Sequence, residues 1–125
     1  MEEWTMFKSS TVTIIVDDLQ KAEHFYVETL GFKVQFQVEG HLVQLEALGM
    51  SIGLLRPREG QASTHGNSGS VQIGLEVQDI DLVVKELTSR GVEFQPIIEE
   101  ETTRLAYFSD PEGNPLYLIE LKSQS

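Results

Sequence analysis

Val16-Asp17-Asp18-Leu19 recurs as Val77-Gln78-Asp79-Ile80, 61 positions further along the chain. Each copy follows an alternating, β-branched run (residues 11–16 and 71–77) and precedes a stretch of helical periodicity. Each helical stretch stops on a glycine, in Leu30-Gly31-Phe32 and again in Arg90-Gly91-Val92, and these stops stand only 60 positions apart. The second helix has therefore dropped one residue. Strand, Val-x-Asp, helix and glycine stop, twice in the same order, predict two copies of one module.

The local chemistry agrees. Asp17 or Asp18, and Asp79 in the second copy, are placed to cap the following helix, since a short carboxylate accepts from the unpaired amides of the first turn. Leu19, Ala22, Phe25 or Tyr26, and Leu30 form one apolar stripe, and Ile80, Val83, Val84 and Leu87 form the other. Gly31 and Gly91 suit the left-handed backbone that ends a helix. Three strand candidates follow each helix: 33–39, 42–48 and 51–56, then 93–99, 103–108 and 116–121. Turn residues separate them, most clearly Glu39-Gly40, Gly49-Met50 and Asp110-Pro111-Glu112-Gly113-Asn114. The fold class is α+β, with βαβββ modules over 8–57 and 71–122. Residues 58–70, rich in glycine and serine, are expected to link them within one domain spanning 1–125.

Strand parity says which faces look inward. Val12, Ile14 and Val16 are aliphatic, whereas Thr11, Thr13 and Ile15 are partly polar. Val71, Ile73, Leu75 and Val77 are likewise aliphatic, against Gln72, Gly74 and Glu76. The aliphatic faces must pack on the helices. Curved mixed sheets, helices outside and a concave, mixed-polarity cavity inside, satisfy both faces; a flat sheet with one solvated face is the alternative.

Composition narrows the function classes. Nine basic and twenty acidic side chains give a formal charge of -11, which disfavours phosphate backbones and so nucleic acid. Cysteine is absent, removing disulfides, thiolate metal sites and thiol catalysis, and suiting a reducing compartment. No apolar run approaches the roughly 20 residues a membrane helix needs. Met1-Glu2-Glu3-Trp4 is acidic where a secretory signal is basic, so a soluble cytoplasmic protein is expected.

Ala22-Glu23-His24-Phe25-Tyr26, ending in Leu30-Gly31-Phe32 after Val16-Asp17-Asp18-Leu19, resembles the vicinal oxygen chelate superfamily. Asp110-Pro111-Glu112-Gly113-Asn114 is similar to its Asp-Pro-(Asp/Glu)-Gly-Asn turn. That superfamily spans glyoxalase I, extradiol dioxygenases, epimerases, fosfomycin-modifying thiol transferases and the bleomycin resistance proteins, which bind without catalysis. The resemblance implies a homodimer, in which paired modules cover open sheet edges. In metal-dependent members a ligand stands five residues before the valine of Val-x-Asp, which lands on Thr11 and Gln72. Another stands four residues after the turn glycine, which lands on Gly53 and Tyr117. Only Gln72 offers an ordinary donor, and one neutral amide does not hold a divalent ion. No metal or other cofactor is expected.

The expected ligand-binding residues are Thr11, Thr13, Gln72, Glu76, Tyr117, Phe108, Arg104 and His41. Thr11, Thr13, Gln72 and Glu76 share the polar strand faces. Tyr117 replaces a metal donor with a ring and a hydroxyl, and Phe108 adds a second ring, with Phe36, Phe94 and Trp4 as further walls. Arg104 suits a carboxylate or an anionic ligand, and His41 opens a strand after a turn. His24 and His65 lie on a helix surface and in the linker, so the three histidines form no metal cluster. Glu46 and Glu120 end apolar strands, Glu120 facing away from Tyr117, and Glu99-Glu100-Glu101 reads as a solvated turn. No serine-histidine-acid set or phosphate-cradling glycine loop is legible.

These readings favour metal-independent sequestration of a small organic molecule, cationic or aromatic, in the manner of the bleomycin resistance branch. A metal-dependent glyoxalase-like lyase, isomerase or dioxygenase is the first alternative. A sensor or interaction module with a vestigial cavity is the second.

Overall fold

The computed structural model describes residues 6–57 and 71–122. The linker, with His65, lies outside the described residues, as does Trp4. The contacts divide the described residues into two compact units, one per sheet.

The first unit runs β1 (Val12–Ile15), helix α1 (Leu19–Glu23, continued over His24–Thr29), β2 (Lys33–Val38), β3 (Leu42–Ala47) and β4 (Met50–Leu55). Its sheet has the order β1-β4-β3-β2, with β1 parallel to β4 and the other pairs antiparallel. A parallel pair needs a crossover, and α1 supplies it. The second unit repeats the plan with β5 (Ile73–Glu76), α2 (Ile80–Ser89), β6 (Ile98–Glu99), β7 (Thr103–Ser109) and β8 (Pro115–Leu121), in the order β5-β8-β7-β6. The fold is the expected α+β pair of βαβββ modules.

The caps are those the sequence offered. Asp18 accepts from the Lys21 amide at 3.0 Å and Asp79 from the Leu82 amide at 3.1 Å. Gly31 and Gly91 end the helices at φ of 88° and 97°.

The missing residue also has a structural meaning. Helix α1 is α-helical only over Leu19–Glu23 and continues as a π-helix over His24–Thr29. The Leu30 amide bonds the Phe25 carbonyl five residues back, at 2.9 Å. A π turn takes up one extra residue without moving the ends of the helix, and α2, one residue shorter, is α-helical throughout. The wider turn also changes which residues face the sheet. Leu19, Ala22 and Tyr26 are buried as expected, but Thr29 joins them in place of Leu30, which is only half-buried.

Each core lies between a helix and the aliphatic sheet face. In the first unit Val16, Tyr26, Leu45, Ile52 and Leu54 are fully buried; in the second Ile80 and Leu116 are, with Leu118 nearly so. Each such side chain contributes about 1.5–3 kcal/mol relative to exposure.

Two strands depart from expectation. Strand β2 carries a bulge between Val34 and Phe36, so Val34 pairs with Leu45 while Phe36 pairs with Gln44. The extra residue reverses the alternation and turns Phe36 and Val38 onto the polar face. The stretch expected as a strand over 93–99 forms a ladder only at Ile98–Glu99. Pro96 has no amide to donate, and what remains before it is one bond from the Gln95 amide to the Tyr107 carbonyl at 3.0 Å. Among the described residues no helix is long and apolar enough to cross a membrane.

Candidate functional site

On the first sheet the polar face is built around one cross-strand row, Thr13 on β1, Gly53 on β4, Gln44 on β3 and Phe36 on β2. Gln44 Nε2 donates to Thr11 Oγ1 at 2.6 Å. A Cβ placed on Gly53 would stand 3.1 Å from Gln44 Oε1 and 3.4 Å from Thr13 Oγ1. Gln44 thus closes over both positions that the family resemblance marks for metal donors in this unit. Glu46 is committed elsewhere, accepting the Gly49 amide at 2.8 Å beside Leu48, whose φ is 52°. His41 is exposed at the far end of β3, where its carbonyl accepts the Arg56 amide at 3.0 Å.

A separate groove of about 940 Å³ in this unit runs between the start of α1 and the β2–β3 turn. Asp17, Asp18, Glu23 and Glu39 line it with Arg56, and none of Thr11, Thr13 or Gly53 does.

On the second sheet the polar face carries Gln72, Gly74 and Glu76 from β5 and its flank, Tyr117 from β8 and Tyr107 from β7. Gly74, Tyr117 and Tyr107 are paired directly across the strands. The Tyr107 and Tyr117 ring centroids are 5.7 Å apart, inclined by 45°. Tyr117 reaches across β5 where Gly74 has no side chain: a Cβ there would fall 2.3 Å from Tyr117 Cζ and 2.4 Å from its hydroxyl. Glu76 is exposed beside it.

Phe108 and Arg104 do not belong to this face, which corrects the expectation for both. Pairing of Phe108 with Leu116 and of Arg104 with Glu120 puts them on the helix side of the sheet. Phe108 is buried there against Phe94, with centroids 5.0 Å apart. Arg104 anchors the start of α2. Its Nη1 and Nη2 bond the two Asp81 oxygens at 2.8 and 3.2 Å, its Nε bonds Glu99 at 2.5 Å, and Glu120 stands 3.8 Å away. Glu120 in turn accepts the Ile80 amide at 2.8 Å, and Lys122 adds a contact to Glu99 at 3.3 Å. Hydrogen bonds from Arg104 hold the Asp81 and Glu99 carboxyls below their ordinary range, Lys122 adding to the effect on Glu99, and those carboxylates raise the Arg104 guanidinium in turn.

The Asp-Pro turn is structural. Buried Asp110 accepts from the Glu112 amide at 2.9 Å, the Asn114 amide at 2.8 Å and Asn114 Nδ2 at 2.9 Å. It closes the β7–β8 hairpin and so sets the register that places Tyr107 opposite Tyr117.

Of the expected residues, the structure gathers Thr11 and Thr13 on one polar face and Gln72, Glu76 and Tyr117 on the other. Gln44, Gly74 and Tyr107, which were not among the expected ligand-binding residues, lie on the same faces. The signal for Tyr107 was there: in Leu105-Ala106-Tyr107-Phe108 only the tyrosine carries a polar tip to turn outward.

The four slots do not suit a divalent metal. Thr11 is engaged by Gln44, Gly53 has no side chain, Tyr117 lies over Gly74 and Gln72 supplies a neutral amide. Among the described residues no group of three or more His, Cys, Asp or Glu side chains is placed to hold a metal ion.

Known proteins share this architecture. The model of the family described as the Glyoxalase/Bleomycin resistance protein/Dioxygenase superfamily matches residues 8–118. The Bacillus subtilis (strain 168) protein YwkD is 31% identical over 120 residues, covering 87% of this chain and 93% of its own. A lactoylglutathione lyase from Agrobacterium tumefaciens has the same fold at a TM-score of 0.73 and 20% identity, with 93% of this chain and 96% of that one covered. TnmS3, an antibiotic binding protein from Streptomyces sp. CB03234, aligns at a TM-score of 0.67 and 29% identity, covering 94% of this chain and all of its own.

Proposed function

Because the chain belongs to the Glyoxalase/Bleomycin resistance protein/Dioxygenase superfamily, we propose that it captures a small organic molecule without a metal and without chemical turnover. The observation that carries this reading is the filling of the slots. Where metal-dependent members are expected to present donors, this chain presents a Gln44–Thr11 hydrogen bond in one unit and the ring of Tyr117 over Gly74 in the other. A polar face of this kind holds a guest by shape, ring contact and hydrogen bonds.

Thr11, Thr13, Gln72, Glu76 and Tyr117 are the contact residues in this reading, with His41 at the margin. Phe108 and Arg104 support the sheet from behind. The excess of acidic side chains favours a cationic ligand, the tyrosines an aromatic one. The likeness to an antibiotic binding protein supports sequestration as the use of such binding. A cytoplasmic homodimer completes the proposal, on the absence of cysteine and on the exposed outer strand β2, all six of whose residues are exposed.

Elemental analysis of protein purified without chelators tests the reading together with a thermal-shift screen of small molecules. The expected result is no stoichiometric transition metal and stabilisation by cationic or aromatic compounds. One metal ion per chain, with a turnover that disappears when it is stripped, overturns it.

A further inference from the structure

We infer that Gly74 sets the ligand specificity of the second sheet by admitting the ring of Tyr117, which with Tyr107 and Glu76 forms a seat for a planar aromatic cation. The inference rests on the binding function proposed above and names its ligand class.

The argument starts from space. A side chain on residue 74 would meet Tyr117 Cζ at 2.3 Å, Oη at 2.4 Å and Cε2 at 2.8 Å, well inside any tolerable contact. Only glycine lets the phenol cross β5 at this point. Glycine weakens a strand by its lack of packing, and here the space it leaves is filled by a side chain from the neighbouring strand.

The chemistry follows from what surrounds the ring. Tyr107 stands 5.7 Å from it at 45°, so the two phenols make an angled pair that leaves room to engage the face or edge of a third ring. Both tyrosines are half-buried, and no hydrogen bond to either hydroxyl is formed among the described residues. Glu76 lies two residues along β5 from Gly74, on the same face, exposed and without an ion pair among the described residues. Arg104, the nearby strand's cation, is on the opposite side of the sheet and bonded there to Asp81 and Glu99. Two electron-rich rings beside an unneutralised carboxylate attract a positive, flat ligand and repel an anionic one.

The test uses the full chain, acridine orange as the planar cation and 1-anilinonaphthalene-8-sulfonate as an anion of similar area. Wild type is expected to bind the cation in preference. Gly74→Ala should weaken it about fivefold or more by expelling the Tyr117 ring, and Glu76→Gln about twofold to fivefold for the cation only. The decisive comparison is Gly74→Ala made in a Tyr117→Leu background. Since Gly74 acts through the ring, the change should then cost nothing further, whereas a general disturbance of β5 would cost the same in both backgrounds. Circular dichroism confirms that each variant folds, and Tyr107→Leu supplies an independent loss of about fivefold. Preference for the anion, no binding of the cation, or equal effects of Gly74→Ala in both backgrounds overturns the inference. Elemental analysis of the same samples separates this from failure of the binding function itself, which a stoichiometric metal with metal-dependent turnover would signal.

Discussion

Arg104 grips both carboxylate oxygens of Asp81, at 2.8 and 3.2 Å, although the two residues stand 23 positions apart on different elements. The pair ties the first turn of α2 to β7, and Glu99 and Glu120 gather on the same guanidinium. Replacing Arg104 by Met should lower the melting temperature at neutral pH by leaving three carboxylates together without their shared cation. Because the partners are largely exposed, the loss should shrink in high salt.

The same node gives a pH dependence. Asp81 and Glu99 are held below their ordinary values of 3.8 and 4.5 in the folded protein. A carboxyl lowered by folding adds stability that is fully present above its unfolded value and is lost as pH falls through the lowered one. The gap between wild type and Arg104→Met should therefore be constant above about pH 5 and close as pH falls below about 4. Melting curves from pH 3 to 7 check it, and a gap that widens on acidification contradicts the assignment.

Asp110 satisfies two amides and the Asn114 side chain from a buried position. Asp110→Ala should cost about 3 kcal/mol, since several charge-assisted bonds are lost and their donors left without a partner. Urea denaturation measures it. An effect below about 0.5 kcal/mol would mean that the turn holds without its carboxylate.

Removing one exposed residue from the π-helical segment, Glu28, should restore α-helical winding and change stability by no more than about 1 kcal/mol. Removing Val84 from α2 has no such slack to use. It should swing buried Leu87 off the core and cost about 3 kcal/mol or more. Equal losses for the two deletions would show that the π turn does not take up the extra residue of the first helix.

At Gly53 the sheet resists a side chain. Gly53→Glu should destabilise the first unit by about 1–3 kcal/mol through contact with Gln44 and Thr13, and Gln44→Ala should recover part of that. A double-mutant cycle by thermal denaturation reads the coupling, and strict additivity would show that Gln44 is not the obstacle.

Much of this fold was legible because its signals are local. Asp18 and Asp79 cap amides three residues away, Gly31 and Gly91 take a backbone that other residues avoid, and the two Val-x-Asp motifs announce one module twice. Even the change of offset from 61 to 60 marked the extra residue, although only the folded helix shows that it is wound as a π turn.

The site depended on register instead. Alternation alone tells that Arg104 and Phe108 share a face, but which face is settled by pairing with Glu120 and Leu116 across the hairpin. A single bulge turned Phe36 away from the face of Val34, and one proline stopped a strand that periodicity had drawn through it. The contact between Gly74 and Tyr117 joins strands 43 positions apart, and no local pattern encodes it. Backbone preferences act over a few residues, so the chain itself determined the modules. Side-chain partnership acts through space, so only the assembled sheets decided what fills the places where a metal would be held.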